Sequence, residues 1–176
     1  MAIDEKKEID LIEESDRGAV IVAAAILEND LYEILKEAFR ANELSEKQIG
    51  DLFDLNGPLS SFSSKALICY AFGLISKWIF DDLTTIRRLR NRFAHSPNDV
   101  DFLSDEITGI VSNLRCTSEV RNVYKGKRYS VERENLKDWE MRSRGFVKHS
   151  KSLFCLGVKI LQTEILKFRI AKLKRR

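Results

Sequence analysis

Residues 86–97 read Ile-Arg-Arg-Leu-Arg-Asn-Arg-Phe-Ala-His-Ser-Pro, a stretch with one apolar side and one basic side. At about 100° per residue of an α-helix, Ile86, Leu89 and Phe93 fall on one stripe. The opposite side carries Arg87, Arg88, Asn91 and His95. Proline disfavours a helical conformation for the residue before it, so the helix is predicted to end near His95. The stretch therefore predicts a helix that buries one face in a core and presents a cationic face.

The rest of the chain repeats this amphipathic pattern. Ser15 or Asp16 is the predicted N-cap of the longest apolar helix, and Ser45 begins a short one. Asn56-Gly57-Pro58 interrupts the chain between the second and third helices. Apolar periodicity predicts helices over residues 15–41, 46–53, about 63–75, about 78–95, 103–114 and 136–173.

Residues 120–132 depart from the helical pattern. Val-Arg-Asn-Val-Tyr at 120–124 and Arg-Tyr-Ser-Val-Glu at 128–132 flank Lys-Gly-Lys at 125–127. This arrangement predicts a small β-hairpin that turns at Gly126. The predicted fold is therefore an all-α helical bundle with one small hairpin. Residues 1–14 form a charged lead-in, and residues 15–176 form a single helical domain.

The charge of the chain is unevenly distributed. The net charge is +3, but residues 1–114 hold 12 Lys and Arg against 21 Asp and Glu, a net charge of −9. The last third, residues 115–176, holds 18 against 6, a net charge of +12. This asymmetry is compatible with binding of nucleic acid or an acidic partner, and equally with complementarity inside or between subunits.

The cysteines and the hydropathy of the chain argue against a disulfide-bonded, membrane-spanning or exported protein. The three cysteines, Cys69, Cys116 and Cys155, are widely separated, which is typical of reduced thiols in a cytoplasm. The longest apolar run, residues 19–27, is too short to span a bilayer. The N-terminus has no apolar signal segment. We therefore expect a cytoplasmic protein without membrane association.

Common catalytic and cofactor motifs do not occur in the sequence. It has no phosphate-binding Gly-rich loop, no His-x-x-x-His metal pair and no Gly-x-Ser-x-Gly turn. No metal and no cofactor are therefore expected.

The second and third predicted helices have lengths that suit a helix-turn-helix. A recognition helix needs Arg, Lys, Asn or Gln near its N-terminus to hydrogen-bond base edges. This one offers serines and Phe62, and Lys65 is its only long polar side chain. The sequence therefore disfavours base-specific reading of DNA by these helices.

Arg90 and His95 resemble the Arg-x(4–6)-His signature of HEPN-type domains, helical bundles that often dimerise and include metal-independent ribonucleases. In such an enzyme the histidine transfers a proton at the RNA 2′-OH, and the arginine stabilises the phosphate. Residues five apart lie about 140° apart around a helix, so a site shared by two subunits fits this spacing better than a site within one chain. Alternatively, Arg90, Asn91 and His95 cap the helix and have a structural role.

Several blocks resemble, in order, the mannitol operon repressor family. They are Asp-Arg-Gly-Ala at 16–19, Leu-Phe at 52–53, Gly-Pro-Leu-Ser-Ser-Phe-Ser-Ser-Lys at 57–65, Ala-Phe-Gly-Leu-Ile at 71–75, and residues 86–95. The resemblance runs from about residue 12 to residue 112. It implies an all-helical bacterial cytoplasmic protein that negatively regulates genes for sugar-alcohol uptake. It supplies no established DNA-reading element.

These observations favour a non-catalytic regulator, expected to be a homodimer, that acts in transcriptional repression through a protein partner or nonspecific nucleic-acid contacts. The predicted contact residues are Arg87, Arg88, Asn91, Lys125, Lys127 and Arg128. The alternative is a HEPN-like ribonuclease that uses Arg90 and His95 of a dimer. A third hypothesis, a purely structural or assembly module, would gain support if both residues were buried and bonded within one subunit.

Overall fold

The described part of the chain is helical. The computed structural model describes residues 10–95, 100–120 and 150–173, with side chains up to residue 167 in the last range. Its helices are α1 (Asp16–Arg40), α2 (Glu46–Phe53), α3 (Phe62–Ala71), α4 (Lys77–His95), α5 (Asp105–Asn113) and α6 (Ser150–Leu173). Residues 115–120 are also helical. No residue in these ranges lies in a strand, and the predicted all-α fold is confirmed.

The predicted hairpin over residues 120–132 is not confirmed. Val120, its first residue, is helical and only 2% exposed, because it packs in the core. Core packing readily outweighs the weak preference of valine against helices. The rest of the predicted hairpin, with Lys125, Lys127 and Arg128, lies outside the described residues, as do residues 136–149 of the predicted last helix.

Side-chain caps set the first residues of α1, α2 and α3. Ser15 caps α1 by accepting a hydrogen bond from the amide of Gly18, with 3.0 Å between Oγ and N. Ser45 and Gln48 form a reciprocal capping box at the start of α2. Ser61 caps α3 by accepting from the amide three residues later, at 3.1 Å. The predicted caps of α1 and α2 are thereby confirmed.

The end of α3 differs from the prediction, which extended this helix to residue 75. The helix ends at Ala71 because Gly73 adopts a left-handed conformation, with φ of +62°. The amide of Leu74 then donates to the carbonyl of Cys69 across 2.7 Å. Glycine is the usual residue at this position of a helix end. Leu74 and Ile75 consequently enter the core from an irregular segment.

The long helix α1 lies at the centre of the packing and contacts α2, α3, α4 and α6. The stripe predicted on α4 is confirmed, since Ile86, Leu89 and Phe93 are buried. None of the helices in the described ranges is long and apolar enough to cross a membrane. The fold therefore buries the apolar stripe of α4 in the core and leaves Arg88 and His95 of its basic side exposed.

Asp82 on α4 joins this helix to the helical segment 115–120. Its two carboxylate oxygens accept hydrogen bonds from the amides of Arg115, at 3.0 Å, and Cys116, at 2.8 Å. The other side of the segment contacts α6 at Gly157, where an added Cβ would lie 2.9 Å from the Sγ of Cys116. This glycine is therefore a point of close packing between α6 and the segment.

Candidate functional site

Three side chains of α4 line a pocket. Arg90 and Asn91 follow Arg87 by three and four residues, a spacing that puts each of them on the same side of the helix as Arg87. The pocket has a volume of about 470 Å³ and lies between α1, the start of α3, and α4. We name it the Arg87 pocket; it is lined by Ile21, Ala24, Ala25 and Glu28 of α1, Ser60, Ser61, Phe62 and Ser63, and Arg87, Arg90 and Asn91 of α4.

Local sequence explains why the start of α3 reaches the pocket. The turn before α3 needs glycine at position 57, because an added Cβ would lie 2.5 Å from the carbonyl oxygens of Asp51 and Leu52. The amide of Leu59 donates to the carbonyl of Leu52 across 2.9 Å, and the Leu59 side chain is buried. This anchored turn brings residues 60–63 beside α1 and α4.

The Arg87 pocket has an excess of positive charge. Among the described residues, neither Arg87 nor Arg90 forms an ion pair with a carboxylate. One Nη of Arg90 donates to the Oδ1 of Asn91 across 3.0 Å, which orients both side chains. The acid in the lining is Glu28, and the Nζ of Lys65 lies 2.6 Å from its Oε1. Lys65 therefore balances the charge of Glu28, and the two guanidinium groups determine the net charge of the pocket.

Helix α3 adds a smaller positive contribution. The first amides of a helix have no partner within the helix, and they form the positive end of its dipole. Ser61 satisfies the amide of Ser64, whereas Phe62 and Ser63 begin the helix at the pocket wall. The hydroxyl groups of Ser60 and Ser63 offer further hydrogen-bonding positions on this wall.

Two other basic residues of α4 lie outside the Arg87 pocket. Arg88 and His95 are both exposed and do not belong to its lining. Arg92, also on α4, forms an ion pair through two of its nitrogens with Glu106 of α5. The structure therefore brings together two of the predicted contact residues, Arg87 and Asn91, and separates them from Arg88.

Arg90 and His95 are not brought into one cleft within the chain, because only Arg90 lines the Arg87 pocket. Both residues are exposed, so the condition stated for the purely structural hypothesis is not met.

The environment of Lys65 counts against a helix-turn-helix. This lysine, the long polar side chain near the start of α3, is 7% exposed. Its Nζ is bonded to Glu28 and to the carbonyl of Ser60. A recognition helix must instead offer free donors to base edges.

Sequence reasoning missed the site role of the serines at the start of α3. The serines at the start of α3 were considered in the test for a helix-turn-helix, and Glu28 was not singled out. The sequence signal that could have indicated their role is the block at 57–65, because this block and residues 86–95 both belong to the family resemblance.

The described residues contain neither a disulfide nor a group of three or more metal-ligating side chains. Cys69, Cys116 and Cys155 are buried. Burial raises the pKa of the Cys155 thiol to about 11. Burial is also the main cause that raises the pKa of the Cys116 thiol, and the nearby Asp82 carboxylate raises it further. Neither Cys116 nor Cys155 is therefore activated as a nucleophile near neutral pH.

Comparison with known proteins gives three kinds of match, to curated relatives, to a solved structure and to a family. The mannitol operon repressors of Escherichia coli strain K12 and of Escherichia coli O6:H1 are each 27% identical to this chain over 103 residues. The match covers 58% of this chain and 53% of each relative, so the chain spans about half the length of these curated relatives. The fold is similar to that in the X-ray structure of the MtlR-HPr complex from Escherichia coli, with a TM-score of 0.63.

That solved chain is 20% identical to this one, and the match covers 88% of this chain and 92% of the other. This likeness concerns the fold. Residues 10–167 also match the family described as Mannitol repressor, MtlR. Because that match extends over most of the sequence, the chain belongs to the mannitol repressor family.

Proposed function

We propose that this chain is a non-catalytic regulator that takes part in repression of a mannitol operon by binding a protein partner. The observation that carries the proposal is the Arg87 pocket, which presents two guanidinium groups without carboxylate partners among the described residues. Arginine is enriched at the centre of protein interfaces, where it pairs with acidic or carbonyl groups. Family membership supports the regulatory role.

The surface beside the Arg87 pocket is suited to a protein rather than to DNA. Ser63, Leu67 and Tyr70 follow a helical i, i+4, i+7 spacing and lie on one face of α3. Leu67 is 52% exposed and Tyr70 is 36% exposed, so an apolar stripe leads away from the pocket. Ile21, at the pocket itself, is also exposed. Apolar side chains around a charged anchor are typical of protein–protein interfaces, whereas the protein surfaces that bind DNA are more basic and polar.

HPr is the partner class that we propose to test first. The solved structure with a similar fold contains a mannitol repressor bound to HPr. We propose that an HPr-type protein contacts α3 and α4, with Arg87 and Arg90 facing an acidic or carbonyl-rich part of its surface.

The direct test is calorimetric titration of the purified chain with HPr. We expect Arg87→Gln and Arg90→Gln each to weaken binding by about tenfold or more, because each removes a charge-assisted contact worth about 1.5–3 kcal/mol. Arg88→Gln is the matched control, since it removes the same charge from the same helix outside the pocket. Equal weakening by all three substitutions would show that only overall charge matters.

Repression is tested in cells that carry a mannitol-operon promoter fused to a reporter and that lack their own repressor. The wild-type chain should lower reporter expression. The double variant Arg87→Gln/Arg90→Gln should fail to repress, so reporter expression should return to its level without the chain. Arg88→Gln should leave repression unchanged. Absence of repression by the wild-type chain, together with absence of HPr binding, would overturn the proposal.

Nonspecific nucleic-acid binding is a second route to regulation. Residues 115–176 carry a net charge of +12, and they include Lys125, Lys127 and Arg128. Binding of this kind must weaken steeply as salt rises, because it releases counterions. A salt titration with duplex DNA and with RNA tests it. Failure of both nucleic acids to bind at low salt would leave only the protein-partner route.

A further inference from the structure

We propose that the Arg87 pocket binds a small phosphate monoester that carries hydroxyl groups. This inference goes beyond the proposed partner contact and does not require it. It rests on four features of the pocket, which are its paired arginines, its balanced acid, its serine hydroxyls and its size.

The arginine pair provides the anion site. Arg87 and Arg90 are one helical turn apart and line the same concave surface. A guanidinium group has five N–H donors, and Arg90 gives one hydrogen bond to Asn91. The remaining donors suit bidentate contacts with phosphate oxygens. A phosphate monoester carries about −1.5 to −2 charges at pH 7, so it matches two guanidinium groups better than a singly charged carboxylate or phosphodiester does.

Glu28 favours a ligand that carries hydroxyl groups as well as a phosphate. A lone carboxylate would repel the phosphate, but the ammonium group of Lys65, 2.6 Å away, balances its charge. Its oxygens remain good acceptors for hydroxyl groups. Ser60 and Ser63, which carry hydroxyl groups, belong to the same lining. The pocket thus combines donors for a phosphate with acceptors and hydroxyls for a polyhydroxylated carbon chain.

The volume of the Arg87 pocket indicates the size of the ligand. At about 470 Å³ it falls within the range of about 300–1,000 Å³ that is usual for small-molecule sites. A bare phosphate ion would leave most of this space unfilled. Ile21, Ala24, Ala25 and Phe62 supply an apolar wall against which a carbon skeleton packs. The site therefore fits an organic phosphate of the sugar-phosphate or sugar-alcohol phosphate class.

Calorimetric titration of the full chain, without any partner protein, tests the inference. The probes are sorbitol 6-phosphate, uncharged sorbitol, inorganic phosphate and a ribodinucleotide that contains only a phosphodiester. We expect sorbitol 6-phosphate to bind most tightly and inorganic phosphate more weakly, whereas sorbitol and the dinucleotide should not bind measurably. Arg87→Gln and Arg90→Gln should each weaken sorbitol 6-phosphate binding about tenfold, and Arg88→Gln should change it less than twofold.

A second variant separates the two ends of the ligand. Ser63→Ala should weaken binding of sorbitol 6-phosphate several-fold and leave the affinity for inorganic phosphate unchanged. Circular dichroism and thermal unfolding establish that each variant is folded. The inference is overturned if no probe binds saturably, if Arg88→Gln weakens binding as much as Arg87→Gln does, or if the dinucleotide binds as tightly as the monoester. Because HPr is absent, failure of the partner proposal does not alter these results.

Discussion

The ammonium group of Lys65 lies 2.6 Å from the Oε1 of Glu28 and joins α3 to α1 at the wall of the Arg87 pocket. The same Nζ donates to the carbonyl of Ser60 across 3.2 Å. One buried cation therefore holds the start of α3 in place and balances the single acid of the pocket lining. Stability and anion binding should consequently both depend on this lysine.

Replacing Lys65 by methionine keeps much of the apolar stem and removes the charge. We expect the free energy of unfolding to fall by about 1–3 kcal/mol, because Glu28 and the carbonyl of Ser60 lose their donor. Urea denaturation measures the change. Phosphate-ester binding should weaken as well, since the charge of Glu28 is then unbalanced. Lys77→Met is the control: its ion pair with Asp81 is exposed, and we expect a change below about 0.5 kcal/mol.

Asp82 should be a major determinant of stability. Asp82→Ala removes the acceptor for the amides of Arg115 and Cys116 and leaves both unsatisfied near the core. We expect a loss of about 2–6 kcal/mol in the free energy of unfolding, at roughly 1–3 kcal/mol for each of the two unsatisfied groups. Chemical denaturation checks this value. The neighbouring exposed Asp81→Ala should cost much less, and a similar cost for both would contradict the assigned role.

Two glycine substitutions should have opposite effects. In Gly157→Ala the new Cβ would lie 2.9 Å from the Sγ of Cys116 and 3.2 Å from a methyl carbon of Thr117. Overpacking of this kind costs about 1–3 kcal/mol. Gly50→Ala meets no atom within 4 Å and lies in α2, so alanine should stabilise the chain by up to about 1 kcal/mol. Thermal unfolding measures the stability change of each variant. Adding Cys116→Ala to Gly157→Ala should restore part of the stability that Gly157→Ala loses.

Alkaline pH should destabilise the protein through its buried thiols. In the unfolded chain a cysteine releases its proton near its ordinary pKa of 9.0, whereas burial raises the pKa of Cys155 to about 11 in the folded state. The unfolded state therefore binds fewer protons between these pH values, and stability falls as pH rises. Below about pH 9 this contribution is constant.

Urea unfolding from pH 7 to pH 10 measures the effect. The wild-type chain should lose stability above about pH 9, and Cys155→Ala should lose less over the same interval. The comparison uses the slope with pH, because the substitution also removes packing. Parallel curves for the two proteins would exclude a contribution from Cys155.

RNA should remain intact in the presence of this chain. Arg90 lines the Arg87 pocket and His95 does not, so catalysis by this pair would require a second subunit. A homodimer stays a prediction, which light scattering can test. Incubation of RNA with the wild type and with His95→Ala, in the presence of a chelator, should give equal amounts of uncut RNA. Cleavage by the wild type that His95→Ala abolishes would establish the ribonuclease alternative.

Local sequence was sufficient to predict most of the helices. The predicted bounds of α2, residues 46–53, match the structure because Ser45 and Gln48 form a capping box, a signal contained in four residues. The buried stripe of Ile86, Leu89 and Phe93 follows from helical periodicity alone. The end of α3 was predicted too late, because an apolar run does not reveal the left-handed turn at Gly73.

The Arg87 pocket could be predicted only in part. The sequence placed Arg87 and Asn91 on the outer side of α4, since residues four apart share a helix face. It gave Arg90 a catalytic role only under the ribonuclease alternative, and it considered the serines at the start of α3 in the test for a helix-turn-helix rather than as part of a pocket. Nothing local indicates that Glu28 reaches Lys65, which is 37 residues away in the chain.

By itself, the sequence determined the helical class, the caps, the buried stripes and the resemblance to a repressor family, because each depends on residues close together along the chain or on their order. Only the tertiary structure decided that the start of α3 and the basic side of α4 form one pocket with α1. It also decided that Lys65 balances Glu28 instead of facing DNA. These facts depend on helix packing, which brings together side chains that are dozens of residues apart.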